Sequence, residues 1–262
     1  MSKNPPETAI CYFNTTDIFV RDKNLCQELI GKTSFTDFLY YLILGKMPSE
    51  AERMIVDAAL VALAEHGLSP GATAARLTYM GAPESLQGAV AAGLLGVGDQ
   101  FAGTLELTAP LLVEIVRHPE GMDVACAAIV ARYRSEKKLL PGFGQPHHKP
   151  DDPRPAALFA VAKQAGVKGD YVLALQTLSK HVDDSFGRHL TINGPAAISA
   201  VFLEIDMPPE IMRGFALICR TAGLVAHIRE EQVHPIGRAL WEGAVAPIGH
   251  PPFPVTKEPM ND

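Results

Sequence analysis

Aromatic side chains and paired cysteines are scarce in this sequence. Only 7% of its 262 residues are aromatic, and alanine, leucine, valine and isoleucine supply most of a 47% hydrophobic content, which favours helices over a β-sandwich. The cysteines show neither a CxxC pair nor zinc-ligand spacing, and they are Cys11, Cys26, Cys126 and Cys219. We therefore expect reduced thiols, no metal site and a cytoplasmic location.

Excess positive charge and long apolar runs are also missing. The formal net charge is −6 and the pI about 5.8, which argues against general binding to nucleic acid or to a membrane surface. The N-terminus has no apolar signal core, and no run approaches the roughly 20 apolar residues that a membrane span requires. We therefore expect a globular protein without nucleic-acid or membrane partners.

Helix starts and stops recur along the chain. Ser34 or Thr36 precedes an amphipathic stretch that Gly45 ends, and Ser49 precedes a second. Ser85 precedes a stretch that is small and apolar on nearly every face. The pattern predicts further helices at residues 71–80, 107–118, 121–136, 154–165, 170–182, 196–205, 208–228 and 235–242. Strand candidates are few and short. Residues 17–20 form either a small strand or a turn, and the tail from residue 251 is expected to be extended. The sequence therefore predicts an all-α fold.

One stretch, residues 139–154, is stiff, cationic and rich in reactive side chains. Its four prolines exclude a helix interior, and Gly142 and Gly144 on either side of Phe143 let the backbone lie against a ligand. An amide is present at Gln145, and the potential cations in and beside the stretch are Lys137, Lys138, His147, His148, Lys149 and Arg154. Such a loop suits an anionic ligand. The alternative is a proline-stiffened connection with solvated charges.

The same stretch resembles the GFGH…DPR loop of the citrate synthase superfamily, with the family's histidine falling on Gln145. The resemblance covers roughly residues 17–241. It implies an all-α, citrate-synthase-like fold of minimal length. A larger helical domain would comprise residues 1–107 and 196–262, and a smaller inserted domain would comprise residues 108–195.

Two further segments resemble the citryl-CoA lyase branch of that superfamily. His66 and Gly67 match a helix-end pair whose histidine faces the substrate, although an isolated histidine there is often only a partner of the helix dipole. The glycine-rich segment at residues 93–103 carries Asp99 where citrate synthases have a catalytic histidine. The resemblance therefore implies the lyase branch rather than the synthase branch.

The resemblance also assigns the ligand contacts. Arg154, Arg220 and Arg238 fall where the family binds substrate carboxylates, although for an isolated arginine a surface salt bridge is the alternative. In dimeric members the position of Arg238 reaches the partner's site, which implies a homodimer with shared sites. Coenzyme A, as acyl-CoA substrate or product, would contact Lys137, Lys138, Gly142, Phe143, Gly144, His148 and Lys149.

Two proton carriers of the family are replaced. Pro195 stands where the family has an acid–base aspartate, and Gln145 donates a hydrogen bond but does not shuttle a proton at neutral pH. The catalytic candidates are then His66, Gln145 and His147, and the replacement carrier is His147 or one of the adjacent aspartates, Asp183 and Asp184.

Two functions stay open from the sequence. The first is a citryl-CoA lyase-like enzyme that cleaves or forms a carbon–carbon bond in a carboxylated 3-hydroxyacyl-CoA, giving acetyl-CoA and a 2-oxo acid. The second is a coenzyme A-binding or acyl-CoA-binding homodimer with a regulatory or scaffolding role. The arginines favour the enzyme, because a binder of coenzyme A alone needs no carboxylate clamp. Gln145 is either natural or an engineered replacement of histidine.

Overall fold

The computed structural model describes residues 7–100 and 103–249, and most of these residues are helical. Within them the α-helices are α1 (Phe35–Leu44), α2 (Glu50–Ala64), α3 (Pro70–Gly81), α4 (Leu86–Leu95), α5 (Thr104–Val116), α6 (Met122–Ser135), α7 (Pro153–Gln164), α8 (Asp170–Phe186), α9 (Gly194–Leu203), α10 (Pro209–Val233) and α11 (Gly237–Val245). The predicted all-α fold is confirmed. The tail predicted from residue 251 lies outside the described residues.

A small antiparallel sheet precedes the helices. Its strands are β1 (Cys11–Phe13), β2 (Ile18–Val20) and β3 (Lys23–Asn24), in that order across the sheet, and a π-helical turn at Leu25–Leu29 follows. Of these three strands, the sequence indicated only β2, as a small strand or a turn at residues 17–20. Strands of two or three residues are too short to show an alternating pattern, so β1 and β3 were not recognisable.

The expected helix ends are largely confirmed. The Ser34 side chain accepts a hydrogen bond from the backbone of Asp37, and Ser49 forms a reciprocal capping box with Glu52. Gly45 ends α1 in the left-handed conformation, at φ 78°. Ser85 precedes α4 as predicted, but its side chain makes no capping hydrogen bond.

The described residues form two compact units. The first extends to Glu65 and then from Val97 to Arg220, and the second comprises His66–Gly96 and the chain from Thr221 onward. At the centre of the first unit, α9 has all of its residues buried and packs against α2, α5, α7 and α8. The predicted division into a large domain and an inserted small domain stays a prediction.

In the second unit, α3 and α4 pack at a distance that only glycine permits. A Cβ on Gly71 would lie 2.6 Å from the backbone oxygen of Gly93, and a Cβ on Gly93 would lie 2.7 Å from the Leu224 side chain. Small residues at these positions therefore let the two helices approach closely around a core that contains Ala72, Ala75, Ala89, Leu224 and Ile228.

Helix α10 is long and apolar enough to cross a membrane by length and composition alone. It has 25 residues, its most apolar window has a mean hydropathy of 1.3, and 44% of that window is buried within the protein. Core helices of soluble proteins pass the same test, so the finding is weak. The expected absence of a membrane partner stays a prediction.

Candidate functional site

The loop between α6 and α7, residues 139–152 and called here the glycine loop, is fastened to the segment that precedes α9. The backbone N–H of Gly144 donates to the oxygen of Thr191 at 2.8 Å, and the N–H of Asn193 donates to the oxygen of Gly142 at 3.0 Å. Gly142 has φ +94°, and a Cβ there would lie 2.9 Å from the Cβ of Ala196. The close approach of loop and helix therefore requires glycine at position 142.

Asp152 ends the glycine loop as a buried carboxylate. It accepts hydrogen bonds from Nε and Nη2 of Arg154, at 3.0 and 2.6 Å, and from the backbone N–H of Gly194 at 3.1 Å. Burial by itself would raise the pKa of Asp152, but the bonds from Arg154 and from backbone N–H groups outweigh it and lower the pKa to about 2. The carboxylate therefore stays ionised and keeps the Arg154 side chain in place.

Arg154, a predicted carboxylate-binding residue, lies over the start of α9. Its side chain is 17% exposed, and its Cζ would lie 2.6 Å from a Cβ on Gly194. Because Nε and Nη2 face Asp152, a second carboxylate would have to approach through Nη1.

Arg220, the second predicted carboxylate-binding residue, is buried on α10. The residue is only 8% exposed, and its Nη1 has no hydrogen-bond partner among the described residues. A buried guanidinium N–H without an acceptor costs on the order of 1–3 kcal/mol, so an added carboxylate would relieve that cost. The alternative of a surface salt bridge is therefore wrong for Arg220.

Arg238, the third predicted carboxylate-binding arginine, is exposed at the start of α11. Its Nε donates to Oε1 of Glu242 at 2.8 Å, with the Arg238 side chain 80% exposed. The helix start itself is well anchored, because the Glu231 carboxylate accepts from the N–H of Gly237 at 2.7 Å and pairs with the buried Arg76. Arg238 therefore makes the surface ion pair that the sequence left open, on a fixed helix terminus.

The polar side chains of the glycine loop contact the loop itself. Oε1 of Gln145 accepts from the backbone N–H of His147 at 3.0 Å, and Nζ of Lys149 donates to the oxygen of Gln145 at 2.8 Å. Just before the loop, Nζ of Lys138 lies 2.7 Å from a carboxylate oxygen of Glu136. Lys137, Lys138, His147 and Lys149 are exposed, and Phe143, Gln145 and His148 are half-buried.

His66 and Asp99 occupy different units. His66 is half-buried in the turn between α2 and α3, in the second unit with Arg238, whereas the glycine loop, Arg154 and Arg220 belong to the first. Asp99, in the first unit, accepts from Nη2 of Arg213 at 2.6 Å. The glycine-rich segment that contains Asp99 is described except for residues 101 and 102.

Sequence reasoning missed a histidine beside the glycine loop. Nδ1 of His189 lies 2.6 Å from Oδ2 of Asp183, and Nε2 lies 2.9 Å from Oδ1 of Asp151. Hydrogen bonds to Asp183 and then to Asp151 raise the pKa of His189. No periodicity or motif marks a single histidine between two helices, and only its partners in space reveal it.

Thiols and metal ligands add no further site in the described residues. Cys126 and Cys219 are buried, burial raises their thiol pKa values to about 12 and about 11, and Cys11 and Cys26 are exposed and unpaired with each other. Among residues 7–100 and 103–249, no group of three or more His, Cys, Asp and Glu side chains is arranged to hold a metal ion. The expected cytoplasmic location and absence of metal stay predictions.

Comparison with known proteins identifies similarity to one family. The family model described as the citrate synthase C-terminal domain matches residues 8–240. The chain is 25% identical to a citrate synthase of Synechocystis over 218 residues, which are 81% of this chain and 53% of that protein. It thus spans about half the length of the citrate synthases that it matches.

Two solved structures share the fold over nearly the whole chain. The citryl-CoA lyase from Hydrogenobacter thermophilus superposes with a TM-score of 0.83 at 29% identity, over 98% of each chain. The ATP citrate lyase from Methanosaeta concilii, solved with (3S)-citryl-CoA, superposes with a TM-score of 0.80 at 18% identity, over 97% of this chain and 43% of that one. The fold is therefore citrate-synthase-like, in a minimal-length version.

Proposed function

Because this chain belongs to the citrate synthase family, we propose that it is a citryl-CoA lyase-like enzyme. It cleaves, or forms, a carbon–carbon bond in a carboxylated 3-hydroxyacyl-CoA to give acetyl-CoA and a 2-oxo acid. The observation that carries the proposal is the similarity to a citryl-CoA lyase over 98% of both chains.

The substrate carboxylates are bound by arginines in this proposal. Nη1 of buried Arg220 supports it: this atom has no acceptor within the described part of the chain, and an anionic ligand would supply one. Arg154 supports it through Nη1, at the N-terminus of α9, where the helix dipole also favours an anion. Arg238 would exchange its exposed ion pair with Glu242 for a substrate carboxylate, at small cost.

Coenzyme A is bound by the glycine loop in this proposal. The fixed backbone from Gly142 to Gly144 offers polar groups to the adenine end, and the exposed Lys137, Lys138 and Lys149 offer charge to the phosphates. The ion pair between Lys138 and Glu136 is exposed, so a phosphate competes with it readily.

Cleavage requires two proton transfers. A base takes the proton of the substrate hydroxyl, the carbon–carbon bond breaks to leave a carbonyl and a thioester enolate, and an acid returns a proton to the enolate carbon. We propose that His66 is the base that takes the hydroxyl proton. The side-chain amide N–H of Gln145 donates a hydrogen bond that stabilises the enolate oxygen, and His147 is the acid that protonates the enolate carbon.

The second candidate is a coenzyme A-binding module without chemistry. The observation in its favour is that Gln145 and Pro195 stand where the resemblance places a proton-carrying histidine and a proton-carrying aspartate. Such a module would keep the loop and its affinity for coenzyme A while turning over no substrate.

The test is a coupled assay that offers citryl-CoA and related 3-hydroxyacyl thioesters to the purified protein and to the Gln145→His variant. The Gln176→His variant is the matched control, because it adds a histidine at an exposed glutamine of α8. Turnover by the unmodified protein supports the proposal. Turnover only by Gln145→His means that glutamine has switched off an otherwise intact lyase. Coenzyme A binding without turnover in any variant supports the binding module.

We further propose a homodimer in which Arg238 completes the partner's site. Mixing inactive Arg220→Ala and Arg238→Ala proteins tests it, because random exchange makes half of the dimers mixed, each with one intact site, and restores about 25% of the activity. Absence of any recovery, with a monomer in sedimentation, contradicts the shared site.

A further inference from the structure

His189 lies between two carboxylates that come from different elements of the first unit. Asp183 is near the C-terminus of α8, and Asp151 precedes α7; their oxygens lie 2.6 and 2.9 Å from the two imidazole nitrogens. Asp183 also accepts from the backbone N–H of Leu190 at 2.7 Å. We call these three side chains, Asp183, His189 and Asp151, the histidine clip.

The clip joins α8 to the segment that holds the glycine loop. Thr191, two residues after His189, accepts through its backbone oxygen from the N–H of Gly144. Its side-chain oxygen accepts from the N–H of Asp152 at 2.9 Å. A shift of this segment would therefore move both the loop backbone and the carboxylate that positions Arg154.

The geometry of the clip favours a charged imidazole. Both ring nitrogens face a carboxylate, and only the imidazolium form donates from both. The charged groups that contact His189 are Asp183 from α8 and Asp151 before α7; Arg188 precedes it on its own segment. The raised pKa of His189 agrees with this arrangement, in which one carboxylate lies on each side of a partly exposed ring.

We propose that His189 is a positioning residue for the coenzyme A loop, acting as an imidazolium between Asp183 and Asp151 to hold the segment that fastens the glycine loop. This inference rests on the proposed function for its link to coenzyme A. The link to loop position stands on the hydrogen bonds alone.

The pH dependence follows from the sign of the shift. Because the pKa of His189 in the folded protein lies above its ordinary value of about 6.5, the clip is intact at pH 6 and is lost as the pH rises through the raised pKa. Loop order and coenzyme A affinity should fall together over that range.

The experiment measures hydrogen exchange at the amides of Gly144 and Asn193, and coenzyme A affinity by calorimetry, at pH 6 and pH 9. The variant is His189→Gln. The matched control is His181→Gln, because His181 lies on α8 and pairs with Asp123 at 3.0 Å but has no hydrogen bond to the loop segment. In His189→Gln we expect faster exchange at both amides and about tenfold weaker coenzyme A binding at pH 6, with no further loss of affinity at pH 9. His181→Gln should show none of these changes.

Two more variants keep the inference decidable if His189→Gln folds poorly. His189→Arg retains a planar cation that can contact both carboxylates at every pH, so it should protect the two amides equally at pH 6 and pH 9. Asp151→Asn removes one of the two carboxylates that stabilise the imidazolium. The pH at which the clip is lost should therefore become lower.

Unchanged exchange in both His189→Gln and Asp151→Asn overturns the positioning role. Faster exchange with unchanged coenzyme A affinity overturns its link to binding. If the unmodified protein binds no coenzyme A, the proposed function fails, and the exchange at Gly144 and Asn193 still decides whether His189 positions the loop.

Discussion

The guanidinium of Arg154 lies so close to Gly194 that a Cβ on this glycine would be 2.6 Å from Cζ. Both residues donate hydrogen bonds to the same buried carboxylate, that of Asp152. The last residue of the glycine loop, the arginine and the first residue of α9 therefore form one interlocked arrangement, and a change in any of them should displace the other two.

Gly194→Ala should break this arrangement from the backbone side. The added methyl forces the Arg154 side chain away from Asp152, and the charge-assisted hydrogen bonds between them are lost. This loss should lower the free energy of unfolding by about 1–3 kcal/mol. Urea unfolding measures this change. Gly214→Ala is the control, because a Cβ at this helical glycine meets no described residue within 4 Å and alanine there should be neutral or stabilising. Equal stability of Gly194→Ala and the unmodified protein would contradict the interlock.

Asp152→Asn should remove the charge that holds Arg154. The folded-state pKa of Asp152, about 2, lies below its ordinary value, so its contribution is present above about pH 4 and is lost as the pH falls towards 2. We expect the variant to lose about 2–4 kcal/mol of its free energy of unfolding at pH 7. On the acid limb, where stability falls as the pH is lowered, its curve should be flatter. Denaturation at a series of pH values measures both effects, with the exposed Asp184→Asn as the control. An unaltered acid limb would disprove the role of Asp152.

Gly142→Ala and Gly144→Ala should separate packing from backbone strain. Both glycines have positive φ, +94° and +88°. In the part of the chain that the structure describes, only a Cβ at Gly142 meets neighbours, with Ala196 at 2.9 Å and Thr108 at 3.0 Å. Gly144→Ala should therefore cost about 1 kcal/mol through strain alone, and Gly142→Ala should cost clearly more. Chemical denaturation gives the two values. Similar values for both variants would mean that the loop does not pack as tightly as described.

Arg220→Met should stabilise the ligand-free protein while removing carboxylate binding. Methionine fills a similar volume without a buried, unpaired N–H, so we expect the free energy of unfolding to rise by about 1 kcal/mol. A dicarboxylate or tricarboxylate ligand should raise the melting temperature of the unmodified protein only. Arg132→Met is the control, because Arg132 makes an exposed bidentate pair with Glu114 and binds no ligand in our proposal. A less stable Arg220→Met protein that still binds citrate would contradict the assignment.

Helix positions were predictable because their determinants are local. Ser34, Ser49 and Gly45 act within one turn of the backbone, so the sequence alone indicated where α1 and α2 begin and where α1 ends. The prolines and glycines of the glycine loop likewise excluded a helix at residues 139–152. The candidate ligand residues were recognisable because their order and spacing resemble those of a family.

The partners of those residues were not predictable. Arg154, Arg220 and Arg238 look alike in the sequence, yet Asp152 holds the first and the third is exposed beside Glu242. The second is buried, and one of its nitrogens has no partner among residues 7–100 and 103–249. Burial and charge pairing depend on which segments meet in space, and no local pattern encodes that.

The sequence by itself therefore determined the all-α class, the helix ends and the chemical types available in the glycine loop, because each depends on neighbours within a few residues. Only the tertiary structure decided that His189 stands between Asp183 and Asp151, which are 6 and 38 residues away. The free energy of such a contact arises when distant segments pack together, so its partners are specified by the whole fold rather than by any stretch of the chain.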